Sequence, residues 1–169
     1  KVLVGLRQEW FTEILNKGTD KETQAETKAF IPRVGLVVEA SENINLYSTW
    51  VKGFQPQGAN IQSDPEHYGG PFDYVKSELH EIGLKTEWFN KRLNATVSVF
   101  KIKQENSLEQ SAKTGKPDWR VPVDEESNGF EVDVAGRIAP NWSVVANYAY
   151  TDARIVKLKE EGALKDLNM

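Results

Sequence analysis

The residues best suited to chemistry are few. His67 and His80 are the only histidines among 169 residues. Asp64, Glu66 and His67 lie close enough in sequence to suggest metal ligation, but their spacing fits no metal-site template. A solvated loop is expected there instead. His80 opens an alternating stretch on its apolar side, which points to a membrane or core boundary rather than to ligation. The stretch KTGKPDW (113–119) contains a Gly-Lys pair, but lacks the spaced glycines and the Ser/Thr of a phosphate-cradling loop. The triplets NAT (94–96) and NWS (141–143) match a glycosylation acceptor, yet fall in a strand and a tight turn. Acidic residues are abundant, but none is paired in a shared apolar pocket, as acid–base work needs. We expect no catalytic residue, no metal site and no enzyme.

A second group of residues suits binding rather than reaction. Residues 54–77 carry Tyr68, Phe72 and Tyr74, with Gly69 and Gly70 allowing bends. Residues 104–128 carry Trp119 and Arg120. Aromatic faces and a guanidinium suit a bulky, often anionic ligand through stacking and charge. The plainer alternative is that these side chains pack the loops against one another. With no cysteine, there is no disulfide framework and no thiolate site. A formal charge of −4 and a pI near 5.3 leave no nucleic-acid footprint.

The elements that position these residues read as strands. Seven are expected, at 2–10, 31–40, 44–53, 78–89, 93–103, 129–138 and 142–151. Short Asn-containing turns join the second to the third, the fourth to the fifth and the sixth to the seventh. The turns fall near residues 42, 91 and 140, and so recur every 49 residues. The remaining connections, 12–30, 54–77, 104–128 and 152–169, read as long polar loops. Several strands run to about nine to twelve residues, longer than the usual five or six and long enough to cross a bilayer when tilted. No stretch approaches the ~20 apolar residues of a spanning helix. A mean hydropathy of −0.54 is also compatible with a barrel that has a polar lumen.

Side chains alternate between faces along a strand. Val34, Leu36 and Val38 oppose Arg33 and Glu39. Ile82, Leu84 and Trp88 oppose Glu81, Lys85 and Glu87. Phe130, Val132 and Val134 oppose Glu131, Asp133 and Arg137. Trp142, Val144, Ala146, Tyr148 and Tyr150 share one face. A soluble β-sandwich gives the same alternation. Two features favour lipid. The apolar faces are rich in Val, Leu and Ile, and large aromatics gather near strand ends, as at membrane interfaces. The charged face, with Arg33, Glu81, Glu131, Asp133 and Arg137, would then line a lumen. It would serve either as a solvated charge ladder or as a docking surface for a plug.

Three segments sharpen this choice: PRVGLVVEASENINLYSTWVKGFQP (32–56), HEIGLKTEWFNKRLNATVSVFKIKQEN (80–106) and NGFEVDVAGRIAPNWSVVANYAYTDA (128–153). Together with VGLRQEWF (4–11), they resemble, in order, the barrel of TonB-dependent siderophore receptors. The resemblance implies an all-β antiparallel up-and-down meander within a 22-stranded transmembrane barrel of the bacterial outer membrane. Its ligand is a ferric siderophore, which brings the metal's ligands with it, so no cofactor is expected. Its partners are outer-membrane lipid and, through an N-terminal plug, the TonB complex. Residues 1–169 are expected to be a partial barrel domain, because neither the plug nor the C-terminal strands occur in the sequence. A chain that opens on Lys1, with its single Met at position 169 and no visible signal peptide, reads as a piece of a longer or processed chain. An importer of cobalamin, haem or sugar and a soluble β-sandwich binding module are the alternatives.

Overall fold

The computed structural model describes residues 1–111, 115–160 and 163–166. These form one antiparallel sheet in simple up-and-down order. Its strands are β1 (Val2–Leu15), β2 (Thr23–Ser41), β3 (Ile44–Gln55), β4 (Val75–Trp88), β5 (Leu93–Gln110), β6 (Arg120–Ala139), β7 (Trp142–Glu160) and β8 (Ala163–Asp166). Two one-turn helices, α1 (Ala59–Gln62) and α2 (Pro65–Tyr68), lie between β3 and β4. All seven expected strands are present, and β8 is additional.

The loop expectation needs correction. Residues 12–30 and 104–128 are mostly strand, since β1 and β2 pair out to Leu15↔Thr23, and β5 and β6 to Gln110↔Arg120. Residues 152–160 likewise continue β7, and β8 pairs with its end. These outer ladders were hidden in the sequence because polar residues occupy both faces over most of their length, so no long apolar row marks a period. Among the long connections, 54–77 retains an irregular, partly helical course.

Register sorts the side chains. Cross-strand partners share a face. The rows Val34↔Trp50, Leu46↔Leu84, Leu84↔Val97, Val97↔Val132 and Val132↔Tyr148 therefore extend one apolar surface across β2 to β7. Among the described residues, no second layer covers it. Ile82 and Val99, in the two middle strands, are 60% and 55% exposed, whereas a sandwich would bury both. The sandwich alternative is thereby excluded by the fold. Among the described residues, the buried hydrophobic core is small, comprising Ala29, Val121 and Val123.

The hairpins are also staggered. Ile44, at the first short turn, pairs with Thr86, and β4 runs two residues further to Trp88. Leu93, at the second, pairs with Gly136, and β6 runs on to Ala139 through a bulge. This is about one residue of shift per strand. With a rise of ~3.3 Å and a strand spacing of ~4.8 Å, the strands tilt by about 35°, the inclination of a barrel wall. In β3, β5 and β7, four or five outward positions above the turn come before the first charged one. Examples are Leu93, Ala95, Val97 and Val99 in β5, and Trp142, Val144, Ala146, Tyr148 and Tyr150 in β7. At about 5 Å of height each, they make a band roughly 20–25 Å tall, which matches a membrane barrel.

Two glycines on the opposite, charged face admit aromatic rings. The Tyr47 ring lies over Gly83, and the Phe100 ring over Gly129. A Cβ at either glycine would overlap the ring. Each is a directly paired cross-strand neighbour.

If the apolar band faces lipid, charge tolerance must depend on height. In the membrane-inserted barrel, Leu84→Arg, at mid-band, is expected to cost about 2–4 kcal/mol, and His80→Arg, just above the band, about 0–1 kcal/mol. Equilibrium urea unfolding in phospholipid vesicles measures both. Equal costs would contradict the lipid assignment.

Candidate functional site

At the end away from the short turns, the irregular segment 56–74 folds over the β5–β6 hairpin. On that hairpin Val121 and Val123 are buried, and Val123 has no exposed surface. A bulge between Gln104 and Ser107 provides the bracket. Its Asn106 sits at positive φ, donates its side-chain amide to Tyr74 O (3.2 Å) and accepts at its carbonyl from Gln57 Nε2 (2.7 Å). Gln62 clasps Phe72 on both backbone groups, donating to its O at 2.6 Å and accepting from its N at 2.9 Å. Asn16, in the β1–β2 turn, donates to Ser63 O (3.2 Å).

The hairpin tip closes the assembly. Ser111 N donates to Trp119 O at 2.8 Å. The Trp119 indole lies against Gly69, which adopts φ +92 at the end of α2, and a Cβ there would stand 2.6 Å from the ring. Lys116 sits over the same indole, 4.7 Å from its centroid, and donates to Glu66 O at 2.9 Å. His67 Nε2 is 3.0 Å from Asp118 Oδ2. The Asp64–Glu66–His67 cluster thus has structural duties. Asp64 caps α2 by accepting from His67 N, and His67 ties the loop to the hairpin. Of the Gly-Lys stretch, residues 113 and 114 lie outside the described residues.

The five loop residues expected to bind ligand divide into three locations. Tyr68, Phe72 and Trp119 belong to the cap. Tyr68 meets the edge of His67 (centroids 4.6 Å), and Phe72 folds back beside Gly70. Tyr74 instead stacks on Phe54 at 4.5 Å, with Lys76 over its ring at 5.2 Å. Arg120 shares a face with Pro122 and Asp124, opposite the buried Val121 and Val123. Its Nε is buried without a hydrogen-bond partner among the described residues. Asn106, Gln57, Gln62 and Asp118 were missed by sequence reasoning. Their roles are contacts across 10 to 51 residues of chain, and nothing local announces them.

The five charges assigned to the lumen, Arg33, Glu81, Glu131, Asp133 and Arg137, do lie on the face opposite the apolar band. They pair with Val51, Thr49, Ser98, Thr96 and Ser143 respectively. Among the described residues, no two of the five form an ion pair. Glu131 and Asp133 line one shallow recess with Asn147, and Arg33 and Glu81 line another with Tyr47 and Lys85. Above the band on the outward face, the Trp50 indole donates to Glu78 at 2.6 Å and, with His80 at 2.9 Å, holds that carboxyl below its ordinary range. Lys101, 2.6 Å from Glu126, lowers that carboxyl in the same way.

A single tilted sheet with a lipid-height apolar belt on one face, charged side chains on the other, short turns at one end and long hairpins at the other is the wall of an outer-membrane β-barrel. The chain belongs to the TonB dependent receptor-like, beta-barrel family, whose model matches residues 1–166. Barrels of this family sit in the outer membrane of Gram-negative bacteria. Two relatives illustrate the neighbourhood. The ferric-pyoverdine M114 receptor PbuA of Pseudomonas sp. (strain M114) is 24% identical over 92% of this chain and 20% of its own length. The metal-pseudopaline receptor CntO of Pseudomonas aeruginosa is 28% identical over 89% of this chain and 21% of its own. The closed form of the ferric-catecholate import receptor Fiu from Escherichia coli superposes with a TM-score of 0.70, at 21% identity over 94% of this chain and 26% of Fiu. The chain spans about a fifth of the length of the curated relatives it matches.

The cap's packing makes a direct test. Gly69→Ala adds both a strained positive φ and a clash with Trp119, together at least about 1.4 kcal/mol. Amide hydrogen exchange across residues 56–74 is expected to accelerate about tenfold or more, with the band strands β3–β6 unchanged. Uniform acceleration of the strands as well would show that the cap is not a separate unit.

Proposed function

We propose that this chain forms part of the wall of an outer-membrane receptor that takes up ferric siderophores with energy delivered through TonB. The observation that supports it is the apolar band on one face backed by a charged face on the other, in a chain of this family. Arg33, Glu81, Glu131, Asp133 and Arg137 face a plug domain in this reading, and the plug carries the contact with TonB. The chelate supplies all the ligands of its iron, so the wall needs none.

Ligand contact falls to the cap, where Tyr68, Phe72 and Trp119 gather on one rigid unit outside the membrane. Tyr74 is spent on Phe54 and turned to the outward side, and Arg120 lies on the other face of its strand. Both are weaker candidates than the other three. The relative named as a metal-pseudopaline receptor supports a second reading of the ligand, a metal–pseudopaline chelate.

The test uses the full-length receptor containing this segment, purified in detergent. Ferric siderophores are titrated while Trp fluorescence is followed, with apo-siderophores, haem and cobalamin as controls. Saturable quenching by one ferric chelate is expected, and Tyr68→Ala should weaken its Kd about tenfold, or about 1.4 kcal/mol. Binding of haem or cobalamin, with no response to any chelate, would overturn the siderophore assignment while leaving the barrel in place.

A further inference from the structure

Two asparagines, one in each of two hairpins of the wall, fasten the cap. Both sit in the left-handed region, Asn16 at φ 54 and Asn106 at φ 63. Asparagine is among the few residues other than glycine that enter this region readily, and unlike glycine it brings an amide with it. Asn16 follows β1. Its carbonyl accepts from Thr19 N at 3.1 Å and from Thr19 Oγ1 at 2.7 Å, which builds the β1–β2 turn. Its side chain donates to Ser63 O at 3.2 Å, 47 residues along the chain. Asn106 stands in the bulge of β5, where its N–H donates to Asp124 Oδ1 at 3.3 Å. Its side chain donates to Tyr74 O, and its carbonyl accepts from Gln57, which also donates to Asp73 O at 3.0 Å.

These contacts fall at the start, the middle and the end of residues 56–74. Asn106 holds both ends, through Gln57 and Tyr74. Asn16 holds the middle at Ser63, which ends α1 and directly precedes Asp64, the cap of α2. The turn of helix that carries Tyr68 is therefore set between points fixed to the wall. Gln62 in α1 then places Phe72, and Gly69 after α2 receives the Trp119 ring. No residue of α1 or α2 is buried. A connection of this length without a core of its own is ordered by its hydrogen bonds, and it opens easily when they are lost.

We propose that Asn16 and Asn106 are positioning residues that hold Tyr68, Phe72 and Trp119 in the arrangement the ligand meets, so that the external site is formed before the ligand arrives rather than by closing on it. The inference rests on reading the cap as the surface that meets the ligand. A prepared site avoids the ordering cost at the moment of binding. When only a fraction of molecules is prepared, affinity falls by that fraction, and the loss appears in the rate of association.

The test uses the full-length receptor in detergent, carrying Asn16→Gly/Asn106→Gly. Glycine keeps the left-handed backbone and removes the amide. Amide hydrogen exchange over residues 56–74 is expected to accelerate about 25-fold, about fivefold for each lost hydrogen bond, with strands β3–β6 unchanged. Stopped-flow Trp quenching, with ferric pyoverdine, a ferric catecholate and metal–pseudopaline as probes, is expected to show association slowed at least about threefold and dissociation within about twofold of the unsubstituted receptor. Unchanged cap exchange, acceleration of the strands along with the cap, or faster dissociation at unchanged association would each overturn the proposal. So would faster cap exchange with unchanged binding of a chelate that Tyr68→Ala weakens, and the cap would then remain the ligand surface. If Tyr68→Ala is also without effect, or if no probe binds the unsubstituted receptor, the reading of the cap as ligand surface fails and takes this inference with it.

Discussion

Everything in this wall depends on interstrand register. In hydrocarbon each backbone N–H and C=O must find a partner, and in a sheet the partner is the adjacent strand. Because side chains alternate, a one-residue slip would turn a whole row such as Leu84, Ile82 and His80 inward and set Glu81, Gly83 and Lys85 against lipid. The alternation in each strand and the pairing between strands are therefore one constraint expressed twice. The stagger of about one residue per strand follows from the same ladder, and it fixes where the headgroup layer begins on each strand.

That constraint also decides what a reader of the sequence can see. Wherever one face meets lipid and the other meets charge, as in 31–53, 78–103 and 129–151, the period stands out, and the short Asn turns mark the ends. Above the band, the physical reason for alternation disappears. Gln104, Glu105, Glu125 and Glu126 are all polar, yet the ladder continues through them. Strand there is held by hydrogen bonds to a partner strand rather than by a buried face, and polar residues on both faces resemble loop.

The binding region was legible by type and not by arrangement. Tyr68, Phe72, Tyr74, Trp119 and Arg120 were all marked by chemistry in long connections. Their separation into a cap, an outward stack and an opposite strand face depends on Asn106, Gln62, Gly69 and Asp118, whose partners are distant in sequence. The Val121-Pro122-Val123 alternation was a signal that could have been used. Two β-branched side chains on one face of a polar hairpin imply something folded over them. His67 shows the converse. It was set aside as a metal ligand on spacing, and the structure gives it a local task as a tie between loop and hairpin.

The rings of Tyr47 and Phe100 lean over Gly83 and Gly129 on the inner surface, into the space a Cβ would fill. An aromatic side chain standing upright would reach several ångströms into the bore, whereas one leaning over a neighbouring glycine reaches less far. The wall thus acquires apolar area and lateral cohesion with less narrowing of the passage it encloses. Each ring also spans two strands at a point where backbone hydrogen bonds would otherwise be their sole link. Smoothness of the bore and resistance to strand separation come from the same two residue pairs.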